Sequence, residues 1–182
     1  MPQSSPRDAV RPLLRVRQTR EFASRAVDAE ILYAIADAAR WSGSSANSQP
    51  WRFVIVREPD TLNAIAEAGA PSTRSLATAP AAIAVVMPQK EGGGISLAFD
   101  EGRAAERMLI AASLLELGAG ISWVKSDARE AVATALGLPA DRFVRTIVAV
   151  GHPTEAARKP KSARGEARLP REETVFEERW PA

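Results

Sequence analysis

The chain contains no cysteine. That single absence removes disulfides, thiolate nucleophiles and thiolate metal ligands together. Histidine is almost missing as well, with His152 alone among 182 residues. A zinc centre would have to be built largely from carboxylates, and a Ser/His/Asp triad would have to use that one imidazole. No apolar stretch near the first residue has the length of a secretion signal, and no run approaches the roughly 18 apolar residues of a membrane-spanning helix. The expectation is a cytoplasmic protein with no membrane partner. An excess of one charge is lacking too, since 24 Lys and Arg face 22 Asp and Glu for a net charge of +2. The sequence pI of about 9.4 therefore reflects a small surplus and does not imply a nucleic-acid surface. Neither GxGxxG after a strand nor GxxxxGK(S/T) occurs, so the glycines at 92–94 read as a loop and not as a phosphate cradle. An enzyme of this composition would leave its difficult step to a cofactor, with no catalytic side chain and no metal.

With 46% hydrophobic residues in 182 positions, the chain is long enough to bury one core. Residues 1–14, with Pro2, Pro6 and Pro12 among charges, read as an N-terminal extension holding at most a short helix. Residues 15–182 read as a single domain that includes a tail over 152–182. Apolar residues at three- and four-residue spacing predict a helix over Val27 to Trp41. The β-branched and aromatic run Trp51 to Arg57 predicts a strand buried on both faces. Asp60 is expected to cap a short helix through Leu62 and Ile65, and Ala81 to Met87 to form a second strand. A flexible loop, Met87 to Gly94, leads to the longest helix, Leu97 to Leu117, which Gly118 and Gly120 should end. A short extended piece over Ile121 to Val124, a helix from Asp127 to Gly137 and a strand over Phe143 to Val150 complete the pattern. The tail holds six basic residues between Arg158 and Arg171 against Glu166 alone, and closes with EETVFEERW. The order lacks the regular βαβ alternation of a doubly wound fold and predicts α+β, with a mixed or antiparallel central sheet flanked by helices.

One segment stands apart in its chemistry. SGSSANSQPW, from Ser42 to Trp51, gathers the hydroxyls of Ser42, Ser44 and Ser45, the amides of Asn47 and Gln49, and a glycine between a helix and a strand. Such a loop could hold a polar planar ligand, but the same residues make an ordinary capped turn.

The segment does not stand alone. RQTREF at residues 17–22, AARWSGSSANSQPWRFVIV at 38–56, and the late ALGLP and VAVGHP follow one another in an order that resembles the FMN-dependent nitroreductase family. The resemblance runs from about Arg15 to the end of the chain. It implies a homodimer with an FMN at each subunit interface, reduced by NADPH or NADH and reoxidised by a nitroaromatic, a quinone or a similar acceptor in ping-pong turnover. The N-terminal basic motif would place Arg17 and Gln18, with Arg15 beside them, near the FMN phosphate and Arg20 near N1 and O2 of the ring. A cation there is chemically sensible, because two-electron reduction puts negative charge on that edge. Val16 stands where many members have a first arginine, and Gln18 where serine is common. The loop residues Gly43, Ser44, Ser45, Asn47 and Gln49 would reach the flavin held mainly by the other subunit. Trp123, Val124, Lys125 and Ser126 would border the ring, with the amide of Lys125 or Ser126 toward N5. Arg168, or Arg164, would meet the phosphate, and TVFEERW would wrap onto the partner. The short connection from Ala81 to Leu97 implies that a large lid is missing. A flavin-binding protein without turnover, acting as a sensor or store, is the alternative.

Overall fold

The computed structural model describes residues 5–89, 94–159, 162 and 168–181. Four strands, β1 (Arg52–Val56), β2 (Ala81–Pro88), β3 (Gly118–Trp123) and β4 (Arg142–Gly151), form one sheet in the order β1-β2-β4-β3. Every pairing is antiparallel. Around it lie α1 (Pro6–Ala9), α2 (Arg11–Leu14), α3 (Ala29–Arg40), α4 (Pro59–Ala68), α5 (Gly94–Leu114), α6 (Arg129–Ala135) and α7 (Glu155–Arg158). The architecture is the expected α+β.

Strand β2 explains the layering. Its residues from Ala81 to Met87 are all buried, as befits a central strand covered on both faces. Ile83, Val85 and Met87 pack with Leu32 and Ile35 of α3 and with Met108 and Leu109 of α5. The alternate residues Ala82, Ala84 and Val86 pack with Leu62 and Ile65 of α4 and Val132 of α6. The period-2 alternation of a strand thus feeds two separate cores. No helix among the described residues is long and apolar enough to cross a membrane.

Several expected details differ. The run Trp51 to Arg57 forms β1 at the sheet edge, with Phe53, Val54 and Ile55 only half-buried, because among the described residues β2 alone pairs with it. The cap of α4 is Glu58 with Pro59 as the first helical residue, and Asp60 falls in the first turn, where the helix dipole favours a carboxylate. Asp127 lies in a 3-10 turn over Ser126–Ala128 ahead of α6 and makes no side-chain cap. Gly137, at φ +62, follows the end of α6 as anticipated.

The clearest difference concerns Gly118 and Gly120. They do not terminate α5, which stops at Leu114, with Glu116 in the left-handed region at φ 59. Both lie within β3, beneath Thr19 of the N-terminal segment. A Cβ on Gly120 would stand 2.0 Å from the Thr19 carbonyl oxygen, and one on Gly118 would stand 2.5 Å from Thr19 Oγ1. The glycines allow a close backbone approach, which periodicity does not reveal.

Candidate functional site

The N-terminal basic motif reaches the sheet by this approach. Gln18 bridges Ala119 in parallel, and the Thr19 N–H donates to the Ala119 carbonyl at 2.8 Å. The Gln18 side chain reinforces the contact, with Oε1 accepting from the Ile121 N–H at 2.9 Å. Val16 packs against the core that includes α3 and α5, which gives a physical reason for an apolar residue at that position. Its neighbours Arg15 and Arg17 are exposed. Arg20 is exposed too and lines a cavity of about 310 Å³ with Pro71, Ser72, Arg74 and Ser75. The Ser75 and Ser122 hydroxyls, 2.7 Å apart and buried, join the floor of this cavity to β3. Two guanidinium groups from distant parts of the sequence therefore serve one concave surface, and such donors suit an anionic, hydrogen-bond-accepting ligand.

Farther along β3 comes the ISWVKS segment. The indole of Trp123 is 49% exposed, so it is not a core residue. Val124 is fully buried in the core beneath α4 and α6, and its N–H donates to the Arg145 carbonyl at 2.8 Å. That amide belongs to the sheet, which leaves Lys125 and Ser126 as the ones open to a ligand. Both residues are exposed, and Ser126 opens a 3-10 turn, whose first amides have no partner within the turn.

The SSANSQ loop has an unusual backbone. Ala46, Asn47 and Gln49 all have positive φ, at 50, 53 and 46 degrees. For Ala and Gln this left-handed conformation costs about 1 kcal/mol or more each, and such outliers cluster at functional sites. Local hydrogen bonds hold it: the Gln49 N–H donates to Ser44 Oγ at 2.9 Å, and the Asn47 N–H donates to the Ser44 carbonyl at 3.1 Å. The loop is also tied down from outside. The Ser45 N–H donates to both carboxylate oxygens of Asp100, at 3.1 and 3.2 Å. Arg107 Nη1 donates to the Trp41 carbonyl at 2.6 Å, and Arg103 Nη1 donates to the Gly43 carbonyl at 3.4 Å. Gly43, Ser45, Asn47 and Gln49 stay exposed, with Ser44 half-buried.

The arrangement separates the residues into two groups. Arg15, Arg17, Gln18, Arg20 and the Trp123–Ser126 segment gather along β3, whereas Gly43 to Gln49 lead into β1. These strands are opposite edges of the sheet, with β2 and β4 between them. Three strand spacings amount to about 14 Å. Arg168 is exposed, and Arg164 lies outside the described residues. TVFEERW holds no strand among the described residues, only the end of a bend-rich segment in which Phe176 and Trp180 meet edge-on, with centroids 4.9 Å apart.

Three residues escaped the sequence reading. Arg74 gave no signal, since a lone arginine in a Ser/Thr-rich stretch resembles a solvated turn. Asp100 and Glu101 did give one. They stand at i−4 from Ala104 and Ala105 on the buried face of α5, and a carboxylate on an apolar helix face needs a partner.

A family model described as "Nitroreductase family" matches residues 15–152. A protein of Archaeoglobus fulgidus named "Putative NADH dehydrogenase/NAD(P)H nitroreductase" is 30% identical over 145 residues, covering 76% of this chain and 82% of that protein. A crystal structure of a protein of the same name from Parabacteroides distasonis superposes with a TM-score of 0.79 at 24% identity, covering 95% of this chain and 99% of the other. The structure of an FMN-dependent nitroreductase from Clostridium difficile gives 0.78 at 22% identity, covering 91% and 97%. At those identities the structural likeness establishes a shared fold.

Proposed function

The chain belongs to the nitroreductase family, and from that premise we propose that it is a flavin-dependent oxidoreductase moving electrons from NADH or NADPH to a nitroaromatic, quinone or similar acceptor. Bound FMN would supply the hydride chemistry, with donor and acceptor using the same place in turn, a ping-pong order. The observation that carries the reading is the seating of the RQTR segment on β3, which brings Arg20 to a cavity shared with Arg74, Ser72 and Ser75.

On this reading Arg20 lies at the pyrimidine edge of the ring, where a fixed cation stabilises the negative charge of the reduced state, and Arg74 supports it from the far wall. Arg15, Arg17 and Gln18 continue toward the phosphate. Gln18 does so with its carbonyl oxygen engaged by Ile121, so its amide NH₂ is the part that faces a ligand. The amides of Lys125 and Ser126 offer donors to N5. Arg168 closes the phosphate end, a role for which Arg164 is the other candidate. Gly43, Ser44, Ser45, Asn47 and Gln49 serve the flavin of a second copy, and the separation of the two groups across the sheet supports that arrangement. The tail over 152–182 extends onto that copy.

The test is optical. The purified protein supplemented with FMN is expected to be yellow after desalting, to bleach with NADH or NADPH without oxygen, and to regain its colour on adding a quinone. Retained colour without bleaching would favour the sensor or store, and a colourless protein would remove flavin from the account.

A further inference from the structure

A half-exposed indole at a strand end is normally free to change rotamer, but that of Trp123 is held from behind. The guanidinium of Arg145 lies 5.6 Å from the centre of its ring and 5.8 Å from that of Phe143. A bulge places Arg145 there. Val85 pairs with Thr146 and Val86 with Val144, so Arg145 is the extra residue on β4. The inserted residue also reverses the strand's parity: Phe143 and Val148 face α3 and α5, whereas Val144 and Ile147 face α4 and α6. Arg145 turns toward α5 and meets Glu101, whose side chain is buried. Arg145 Nε donates to Glu101 Oε2 at 2.9 Å, and Arg145 Nη2 donates to the same oxygen. Glu101 Oε1 is buried with no partner among the described residues. A buried ion pair with an orphaned oxygen is poorly suited to stabilising a fold, because desolvation offsets much of its attraction. It is well suited to fixing one geometry.

We propose that Glu101 and Arg145 are positioning residues that hold the indole of Trp123 in one orientation at the mouth of the flavin site, so that its exposed face packs against the bound ring. The second half of this statement rests on the flavin reading above; the first does not. Two measurements separate them. The near-ultraviolet dichroism of Trp123, taken as the difference from Trp123→Phe, reports the fixed indole with or without flavin. The emission of bound FMN reports its contact with that indole, which quenches it.

Arg145→Met and Glu101→Gln are each expected to lower the Trp123 dichroism by about half or more and to raise bound-flavin emission several-fold. Acceptor KM should rise while kcat changes less than about twofold, because orientation and not chemistry is lost. Neither substitution should have these effects in a Trp123→Phe background. Arg145→Lys, which keeps the charge but not the planar stack, should rescue only in part. Glu101→Gln preserves volume and an acceptor, and it carries the comparison if Arg145→Met fails to fold. Full Trp123 dichroism in folded Arg145→Met or Glu101→Gln would overturn the positioning role. Reduced dichroism with unchanged flavin emission would overturn the packing against the ring. A protein that binds no flavin would sink the flavin reading, and the dichroism would still decide the role of the pair.

Discussion

On the proposed function, Arg20 and Gly120 both decide whether the RQTR segment can bind flavin, one by charge and the other by having no side chain. Arg20→Ala removes a cation from the cavity it shares with Arg74. A hydrogen bond to a charged group contributes about 2 kcal/mol, so FMN affinity should fall roughly 30-fold in a fluorescence titration. Unchanged affinity and unchanged flavin reduction would remove Arg20 from the site. Gly120→Ala acts indirectly, since its Cβ would lie 2.0 Å from the Thr19 carbonyl oxygen, which is backbone and cannot rotate away. The segment must lift off β3, and we expect a loss of about 2–3 kcal/mol in urea unfolding, together with weaker FMN binding. A stable Gly120→Ala protein with normal affinity would show that the contact of Thr19 with β3 is dispensable.

At the scale of elements, α5 links the two groups of site residues through adjacent carboxylates, Asp100 to the SSANSQ loop and Glu101 to Arg145. Asp100→Ala would leave the Ser45 N–H without its acceptor next to three left-handed residues. The expected cost is about 1–3 kcal/mol in unfolding, with reduced flavin occupancy and unchanged far-ultraviolet dichroism. Occupancy equal to the parent protein would mean that the loop holds its shape unaided. Legibility also divides at this scale. The major helices and strands were readable because burial imposes a period on each: α3, α5, β2 and β4 all lie close to where apolar spacing put them. What failed was information held by the partner of a residue and not by the residue itself. Gly118 and Gly120 looked like helix terminators because the segment that covers them, around Thr19, comes from far earlier in the chain. Asp60 and Asp127 looked like caps because their type suits that position, but Glu58 and the 3-10 turn occupy the helix starts. The loop and the basic motif stood out by their polar and basic residues. Their places on opposite sheet edges did not, because strand order is not written in local sequence.

The separation of the two groups has its largest consequence for the molecule as a whole. The outer face of α5 exposes Ile95 and Phe99, and continues into an open groove of about 650 Å³ lined by Gly43, Phe99, Arg103 and Glu106. Large apolar side chains side by side are uncommon on a surface that stays in water, and this pair borders the loop proposed to serve a second copy's flavin. If each site takes RQTR from one chain and the SSANSQ loop from another, two variants that each weaken flavin binding should complement each other. In a mixed dimer of Arg20→Ala and Asn47→Ala chains, one site carries both defects and the other carries neither. Random pairing from equal amounts makes half the dimers mixed, so about a quarter of all sites should be intact. Coexpression with two tags, isolation of the doubly tagged dimer and flavin titration would test this directly, with one normal site expected per mixed dimer. If both groups instead served one flavin within a single chain, every site would carry one defect and mixing would restore nothing. The result therefore separates a shared site from an internal one, whatever acceptor the enzyme uses.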